Sequence, residues 1–424
     1  MPPSATLAAW LERLERLHPA AIELGLERVR EVKDALGLEP AFPVLVVGGT
    51  NGKGSTCAYL EAILRAAGYR TGLYTSPHLL RYNERVRIDG VEASDADIVR
   101  AFEAVDAARG ETSLTYFEFG TLGAMWQFRK AAVDVAILEV GLGGRLDAVN
   151  VFDADAAAVT SVDLDHMDYL GDTREAIGFE KAGIFRAGRP AICADPAPPA
   201  TLVDHALAIG ADLRRIEIDF AARHDDGHWT YRGRDAIWRD LPRPAMPGAF
   251  QLRNAACALA VLEAVAPRLP VGETARRTGL ALARVPGRFQ RIAQAPDVIV
   301  DVAHNPEAAR ALAATLREHP VAGRTLAVVG MLADKDAAGV FDALTGAVDA
   351  WWTATPESPR ARPSDALACV LRERLPDAAV TAVGSVADAL HMARSAAREN
   401  DRILVFGSFY TVAAVLDRHA ATQQ

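Results

Sequence analysis

Short apolar runs that alternate with helical patterns constrain the fold of this chain more than any other feature. Strands buried on both faces of a parallel sheet have continuous apolar sequences, because helices cover the sheet on each side. Runs of this kind occupy residues 42–49, 133–141 and 156–162 in the first part of the chain and residues 296–303, 325–332, 347–355 and 402–408 in the second. The pattern therefore predicts an α/β fold with parallel sheets.

Two domains are expected from the length and from one break in this pattern. A chain of 424 residues is too long for one ordinary hydrophobic core. Near residues 281–288 a helical segment meets a Pro-Gly pair, and a new series of strands begins after it. We therefore expect domains at residues 1–285 and 286–424. The charged stretch at residues 219–242 is expected to form a hairpin or a surface excursion of the first domain.

Composition argues against several classes of protein. The net charge of -9 at pH 7 speaks against a nucleic-acid partner, because phosphate backbones are bound mainly by Lys and Arg. The N-terminal segment carries Glu and Arg and lacks the apolar core of a signal peptide. No stretch approaches the roughly 20 uninterrupted apolar residues of a membrane helix, so we expect a cytoplasmic protein. The cysteines form no CxxC pair and are expected to be small buried residues: Cys57, Cys193, Cys257 and Cys369.

A glycine-rich segment stands between a strand and a helix in the first domain. Residues 44–47 (VLVV) lead into GGTNGKGST at residues 48–56, and residues 58–68 continue as a helix. Glycines let backbone N–H groups approach phosphates, the helix N-terminus adds partial positive charge, and Lys53 supplies a cation. The segment departs from the general phosphate-loop pattern, because Gly54 separates Lys53 from the hydroxyl pair. The residues predict a nucleoside triphosphate site, and the alternative is an ordinary glycine-rich turn.

Three further polar segments follow strands and offer ligands for Mg²⁺. Ser76 and His78 follow the strand-like GLYT, Glu139 ends a buried apolar run, and His166 comes after a third strand. Ligands of parallel sheets gather where the strands end. Mg²⁺ prefers oxygen, so Ser76 and Glu139 are suited to direct ligation and His166 is less typical. The alternatives are a helix cap for the acid and a hydrogen-bonded structural role for the histidine.

Three other places hold charged residues of interest. Lys181 stands inside a helical pattern, where an exposed surface lysine is the default expectation. Asp301 and His304 follow a strand of the second domain and precede an Asn-Pro pair that opens a helix. Arg288, at the expected domain joint, could clamp a phosphate or be a solvated linker charge.

Nine motifs occur in the order seen in one known family. In chain order they are TNGKGST, TSPHLLRYNERV, SLTYFEFGTL, LEVGLGGRLDA, DHMDYLG, EKAGIFR, PGRFQ, DVAHNP and GMLADKD. In these motifs the chain resembles the folylpolyglutamate synthases, and especially the bacterial bifunctional dihydrofolate synthase/folylpolyglutamate synthases of the Mur ligase superfamily. The resemblance extends from residue 21 to residue 412. It implies an N-terminal P-loop-type ATPase domain with a parallel sheet, which binds ATP and pterin, and a smaller C-terminal Rossmann-like glutamate-ligase domain.

The resemblance also implies a set of ligand-binding residues. For ATP it implies Thr50, Asn51, Gly52, Lys53, Gly54, Ser55, Thr56, Asn254, Arg288 and Asp301. For Mg²⁺ it implies Ser76, Glu139 and His166, and it implies a second Mg²⁺ ion that a modified Lys181 helps to hold. For the pterin it implies Ala21, Ile22, Glu23, Thr115, Tyr116, Phe117, Glu118, Leu146, Asp147 and Ala148. For the incoming glutamate it implies His304 and Ser408.

Catalytic roles are implied for Lys53, Lys181 and His304, with Lys181 resembling a lysine that CO₂ converts to N6-carboxylysine. One departure is that Glu23 stands where the bacterial family often has Asp. The implied reaction is ATP-dependent ligation of L-glutamate to dihydropteroate and to the γ-carboxylate of reduced folates, through an acyl phosphate. The expected partners are these small molecules, and the expected state is a monomer.

Two other functions compete with this one. A Mur-type ligase acting on another carboxylate, such as a cell-wall precursor, is disfavoured by the pterin-side motif TYFEFG. A nucleotide-binding regulatory protein without catalysis is disfavoured because Glu139, His166 and Lys181 are retained together.

Overall fold

The computed structural model describes residues 6–20, 22–225 and 227–423, which divide into two compact units. The first unit comprises Met1–Ala245 and Leu252–Arg284, and the second comprises Met246–Gln251 and Val285–Gln424. The grouping of Met246–Gln251 with the second unit was not anticipated from the sequence. Within the described residues, no helix is long and apolar enough to cross a bilayer.

The first unit begins with helices and then alternates strands with helices. Its elements are α1 (Leu7–Leu17), α2 (Glu27–Ala35), β1 (Val44–Gly48), α3 (Lys53–Ala66), β2 (Thr71–Tyr74), β3 (Val86–Ile88), β4 (Val91–Glu92), α4 (Asp95–Arg109), α5 (Tyr116–Lys130), β5 (Val135–Glu139), β6 (Ala156–Val159), α6 (Met167–Leu170), α7 (Arg174–Ala182), β7 (Pro190–Cys193), α8 (Ala200–Ala208), β8 (Asp212–Arg215), β9 (Ala221–Asp225), β10 (His228–Arg232), β11 (Ile237–Pro242), most of α9 (Phe250–Ala264) and α10 (Glu273–Leu282). Two short 3₁₀ helices lie at Tyr82–Arg85 and Ala148–Val151.

An eight-stranded sheet in the order β4-β3-β2-β5-β1-β6-β7-β8 organises this unit. The strands β2, β5, β1, β6, β7 and β8 run parallel to one another. β3 pairs antiparallel with β2, and β4 pairs antiparallel with β3. β1 is buried along its whole length and pairs with β5 on one side and β6 on the other, with Val47 opposite Glu139 and Ala158. The loops that follow β1, β2, β5 and β6 therefore leave the same edge of the sheet. This arrangement confirms the predicted parallel α/β fold.

Residues 219–242, expected to form a hairpin or an excursion, instead build a three-stranded antiparallel sheet of β9, β10 and β11. Trp229 and Tyr231 of the central strand are fully buried. Glu263 of α9 accepts hydrogen bonds from the Tyr231 hydroxyl at 2.5 Å and from the Asp235 N–H at 2.6 Å. The small sheet is thus fastened to a helix of the same unit.

The second unit is a smaller parallel α/β structure. Its elements are β12 (Gln290–Ala293), β13 (Asp297–Asp301), α11 (Pro306–Glu318), β14 (Thr325–Val329), α12 (Ala337–Ala343), β15 (Ala350–Thr355), α13 (Ser364–Arg374), β16 (Ala379–Ser385), α14 (Val386–Ala396), β17 (Arg402–Phe406) and α15 (Phe409–Gln423). The sheet order is β12-β13-β17-β14-β15-β16, and only β12 is antiparallel to its neighbour. Asn305 caps α11, as the Asn-Pro pair predicts.

The expectation for the cysteines holds for three of the four. Cys57, Cys193 and Cys257 are buried in the first unit, whereas Cys369 is exposed. Cys369 lies on α13, where its neighbours Leu367, Ala368 and Leu371 face the core and the thiol does not.

Candidate active site

The glycine-rich loop joins β1 to α3 as predicted, and two of its glycines are required by geometry. Gly52, the residue before α3, has φ 88°, and Gly49 has φ 141°. Both values lie in the region that L side chains rarely adopt. A Cβ atom on Gly52 would also lie 2.5 Å from Asn254 Oδ1, and one on Gly49 would overlap the Thr160 hydroxyl. The loop therefore follows the surrounding side chains closely, and Asn254 lies directly beside it.

Hydrogen bonds hold this loop against the segment after β6. The Thr50 N–H donates to Ser161 O at 2.8 Å, and the Asn51 N–H donates to Ser161 Oγ at 3.1 Å. The Lys53 ammonium donates to Gly49 O at 3.0 Å and Thr50 O at 3.1 Å. Ser55 and Thr56 are buried in the first turn of α3. The ammonium thus lies over the loop at a helix N-terminus, where phosphate oxygens can be bound.

The structure brings Ser76 and Glu139 together beside this loop. Glu139, at the end of β5, is 5% exposed, and its Oε2 accepts a hydrogen bond from the Ser76 N–H at 3.2 Å. A Cβ atom on Gly54 would lie 3.7 Å from the same Oε2. A buried carboxylate next to a phosphate loop, with a hydroxyl-bearing residue bonded to it, fits the oxygen ligands that Mg²⁺ takes.

The third predicted metal ligand, His166, lies in the loop after β6 and is exposed. Its backbone is left-handed, with φ 53° and ψ 40°, and its N–H donates to Asp165 Oδ1 at 2.9 Å. Across the described residues, no group of three His, Cys, Asp or Glu side chains converges to hold a metal. The predicted set would provide only part of a coordination shell, which suits an ion that also takes water and phosphate ligands.

Lys181 lies in the last turn of α7 and is 3% exposed, so the default expectation of a surface lysine is wrong. The end of α7 packs on the loop after β5, where the Arg145 N–H donates to Glu180 O at 2.8 Å. A Cβ atom on Gly144 would lie 3.1 Å from Lys181 Cα. A signal was present in the sequence, because Lys181 stands four residues after the apolar Ile177 and shares its helix face.

The first two predicted pterin segments are joined by an arginine that the sequence analysis missed. Arg28 pairs with the Glu23 carboxylate and donates to Glu118 Oε1 at 3.0 Å. Glu118 and Thr115 form a capping box at the start of α5, in which the Thr115 N–H donates to Glu118 Oε2 at 2.7 Å. Ile22 is exposed, and Ala21 lies outside the described residues.

Phe117 of the second pterin segment packs on the loop after β5, which carries the third segment. The Phe117 ring covers the glycine at the start of the loop after β5, since a Cβ atom on Gly141 would lie 2.6 Å from it. Asp147, between half-buried Leu146 and buried Ala148, accepts hydrogen bonds from Leu142 N–H at 2.8 Å and Val149 N–H at 3.1 Å. Burial raises the pKa of Asp147 to about 7, although those hydrogen bonds and Lys53 act in the opposite direction.

His78 and Arg85 form a contact that the sequence did not predict. Arg85 Nε donates to His78 Nδ1 at 2.8 Å, and the guanidinium lies over the ring of Tyr116. Burial, followed by the nearby Arg85 charge, lowers the pKa of His78 to about 4.

In the second unit, Asp301, His304, Arg288 and Ser408 gather where β13 and β17 end side by side. Arg288 lies with its guanidinium 5.6 Å from the Phe409 ring centroid, and the His304 ring lies 6.3 Å from that centroid. His304 Nδ1 donates to Val302 O at 2.9 Å. The sequence analysis did not include Phe409 in the site. Its position directly after Ser408, at the end of β17, could have indicated it.

Hydrogen bonds to the backbone fix the two buried polar residues of this group. Asp301 accepts from the Phe289 and Ala303 N–H groups, both at 2.8 Å. Burial raises the pKa of Asp301, whereas Arg288 and these hydrogen bonds oppose the rise. Ser408 Oγ accepts from the Thr411 N–H at 3.1 Å at the start of α15.

Comparison with known proteins decides the family. The Mur ligase middle domain model matches residues 47–194, and the Mur ligase glutamate ligase domain model matches residues 287–409. A dihydrofolate synthase/folylpolyglutamate synthase of Escherichia coli is 49% identical, over 98% of this chain and 96% of that protein. The chain belongs to the dihydrofolate synthase/folylpolyglutamate synthase family.

Solved structures of this family share the whole architecture. E. coli FolC in complex with DHPP and ADP is 47% identical, covers all of both chains, and superimposes with a TM-score of 0.95. A bifunctional folylpolyglutamate synthase/dihydrofolate synthase with Mn, AMPPNP and L-glutamate bound is 47% identical over all of both chains, with a TM-score of 0.91. The Mur ligase architecture expected from the sequence is therefore confirmed, and the folate branch is favoured over a cell-wall ligase.

Proposed function

We propose that this protein is an ATP-dependent ligase that joins L-glutamate to dihydropteroate and to the γ-carboxylate of reduced folates. The observation that carries the proposal is the phosphate loop beside buried Glu139, in a chain that matches the E. coli synthase over 98% of its length. The relative with DHPP and ADP and the relative with Mn, AMPPNP and L-glutamate support the choice of substrates.

The chemical problem is that a carboxylate repels an incoming amine and has no good leaving group. One carboxylate oxygen first attacks the γ-phosphorus of ATP, ADP leaves, and an acyl phosphate results. The neutral amine of glutamate then attacks the acyl carbon, the C–O bond to phosphate breaks, and an amide, phosphate and a proton are released. A divalent metal, when bound, neutralises charge on the phosphates.

Lys53 and the loop amides act on the phosphoryl group. The ammonium can exchange its bonds to Gly49 O and Thr50 O for phosphate oxygens without leaving the N-terminus of α3. Positive charge already in place stabilises the charge that moves in the transition state. Asn254 lies beside Gly52. Asn254, Arg288 and Asp301 are each proposed to bind ATP.

Ser76, Glu139 and His166 would hold the metal, and two ions are proposed. Carbamylation of Lys181 is proposed as well, with support from its burial. Removal of an ammonium from water is costly, and N6-carboxylysine would carry a negative charge suited to a cation instead.

The substrates are assigned to separate groups of residues. The segments Ile22–Glu23, Thr115–Glu118 and Leu146–Ala148, with Ala21, are proposed to bind the pterin, and His304 and Ser408 are proposed to bind glutamate. Two contacts support the first assignment, because Arg28 joins the first two segments and Phe117 packs on the loop that carries the third. A monomeric, cytoplasmic enzyme without a nucleic-acid partner is also proposed, and the net charge of -9 supports the last point.

The test is a phosphate-release assay with dihydropteroate and then tetrahydrofolate, each with and without L-glutamate. Amide product and phosphate should form in equal amounts only when ATP, the pterin acid and glutamate are all present. Phosphate release at the same rate with and without dihydropteroate or tetrahydrofolate would contradict the proposal. Ligation to a UDP-muramoyl acid in place of dihydropteroate would move the assignment to another Mur-type ligase.

A further inference from the structure

The loop after β2 holds His78 and Arg85 in place through its own backbone. The Glu84 carboxylate accepts hydrogen bonds from the N–H groups of Leu79 at 2.7 Å, Leu80 at 2.6 Å and Arg81 at 2.7 Å. The Thr75 N–H closes the loop on Arg85 O at 2.9 Å. These bonds fix the backbone of the loop from which the His78 and Arg85 side chains project.

The contact between the two side chains determines where the imidazole proton lies. A guanidinium can donate hydrogen bonds but cannot accept one. Because Arg85 Nε donates to His78 Nδ1 at 2.8 Å, Nδ1 must be the acceptor. The ring proton is therefore on Nε2, and the imidazole is a neutral donor. In the part of the chain that the structure describes, neither this Nε2 nor the terminal nitrogens of Arg85 donate to another residue.

Aromatic rings orient the guanidinium. Its central carbon lies 5.5 Å from the ring centroids of both Tyr82 and Tyr116, and the two rings meet edge to face at 5.8 Å. Tyr82 is buried, so this packing limits the movement of Arg85. The Arg85 terminal nitrogens and His78 Nε2 thus form a small set of fixed N–H donors, which we call the His78–Arg85 pair.

The position of the pair indicates which anion it meets. Tyr116, which touches Arg85, begins the helix segment proposed to bind the pterin. Ser76, two residues before His78, bonds Glu139 beside the phosphate loop. The group of a folate substrate that lies between its pterin ring and the phosphate donor is the carboxylate that becomes phosphorylated. A guanidinium fork with an additional N–H is suited to a planar carboxylate.

We propose that the His78–Arg85 pair binds the substrate carboxylate that becomes phosphorylated, in dihydropteroate or a reduced folate. The pair directs one oxygen of this carboxylate toward the γ-phosphorus of ATP. This inference rests on the proposed function and adds residues that the family resemblance did not assign. The neutral imidazole holds the carboxylate without a second full positive charge, which leaves the attacking oxygen nucleophilic. If the contact between His78 and Arg85 served only to shape the loop, its loss would weaken the binding of ligands with and without a carboxylate equally.

The experiment measures binding of dihydropteroate and of its analogue without the carboxylate, by calorimetry, to wild type and variants. Arg85→Met should weaken dihydropteroate binding roughly 10- to 100-fold, the range for a lost charge-assisted hydrogen bond. Binding of the analogue should change less than about twofold, since it has no carboxylate to lose. His78→Gln should be milder than His78→Leu, because the amide can both accept from Arg85 and donate to the ligand.

Arg81→Met is the matched control, because Arg81 belongs to the same loop but pairs with Asp95 on the surface. It should bind both ligands as wild type does. Equal weakening of both ligands in Arg85→Met, or no weakening of dihydropteroate in a folded Arg85→Met or His78→Leu, would overturn the inference. Wild type that binds neither ligand would instead refute the proposed function.

Discussion

The Glu139 carboxylate accepts a hydrogen bond from the Ser76 N–H at 3.2 Å, which links the end of β5 to the loop after β2. These loops meet beside Gly54 because β1, β2 and β5 are parallel and adjacent in the sheet. The chemistry of the site thus follows from strand order. Segments about 60 residues apart supply an acid and a hydroxyl at the start of one helix.

Lys53→Ala should abolish ligation while the fold persists. The ammonium donates to two loop carbonyls, Gly49 O and Thr50 O, so its removal should cost only about 1.5–3 kcal/mol of unfolding free energy. The ligation rate should fall by at least about a thousandfold, since charge stabilisation of the phosphoryl group is lost. Coupled phosphate release and thermal unfolding check both parts. Lys130→Ala, an exposed lysine at the end of α5, is the control, and wild-type ligation by Lys53→Ala would refute the role.

Lys181→Ala should lose activity and regain part of it with short carboxylic acids. If a carbamate at Lys181 supplies an anion, its loss should reduce the rate roughly 10- to 100-fold, and a small carboxylate could occupy the space left behind. The measurement is the ligation rate with increasing acetate or propionate, compared with chloride at equal ionic strength. Full activity of Lys181→Ala without any added acid would count against the carbamate.

Gly183→Ala should disturb the packing of α7 on the loop after β5. A Cβ atom there would lie 2.6 Å from Arg145 Cα, so backbone must move, at a cost of about 1–3 kcal/mol. The same movement would shift Lys181 and Asp147, and the ligation rate could fall by up to roughly 100-fold. Urea denaturation and steady-state kinetics test this. Gly384→Ala, where a Cβ would have nothing within 4 Å, should change neither value.

Asp401 should make the second unit sensitive to acid. Burial alone would raise its pKa, but hydrogen bonds from the Arg324 and Arg398 N–H groups and from the Arg324 guanidinium lower it to about 2. A folded-state pKa below the ordinary 3.8 contributes stability that is complete above pH 4 and is lost as the pH falls toward 2.

The comparison is between wild type and Asp401→Asn in urea at several pH values. The variant should be less stable by roughly 1–3 kcal/mol at pH 5, and the difference should shrink as the pH falls below 4. Asp417→Asn, at an exposed position of α15, should show no such trend. A difference that is constant from pH 5 to pH 3 would be the contrary result.

Features carried by one short segment could be predicted from the sequence. The phosphate loop, the N-cap of α11 at Asn305 and the burial of β1 each depend on a few neighbouring residues. The capping box of Thr115 and Glu118 is also a local pattern. Such features can be predicted because local geometry and tertiary packing require the same residues.

Features that depend on distant partners could not be predicted. The spacing from Ile177 indicates the helix face of Lys181, but nothing near Lys181 in the sequence indicates that the loop after β5 packs there, which Gly144 permits. Arg28 meets Glu118 across 90 positions, and the direction of that side chain is decided by the fold of both segments. Propensity and periodicity describe faces of elements, not which faces meet.

Isotopic labelling of the substrate carboxylate tests the acyl phosphate mechanism, because it follows the oxygen atoms through the reaction. Dihydropteroate with both carboxylate oxygens as ¹⁸O is incubated with ATP and L-glutamate, and the phosphate and amide are examined by ³¹P NMR and mass spectrometry. Attack of the carboxylate on the γ-phosphorus predicts one ¹⁸O in each phosphate released and one in each amide. Phosphate without ¹⁸O, alongside labelled amide product, would contradict an acyl phosphate intermediate.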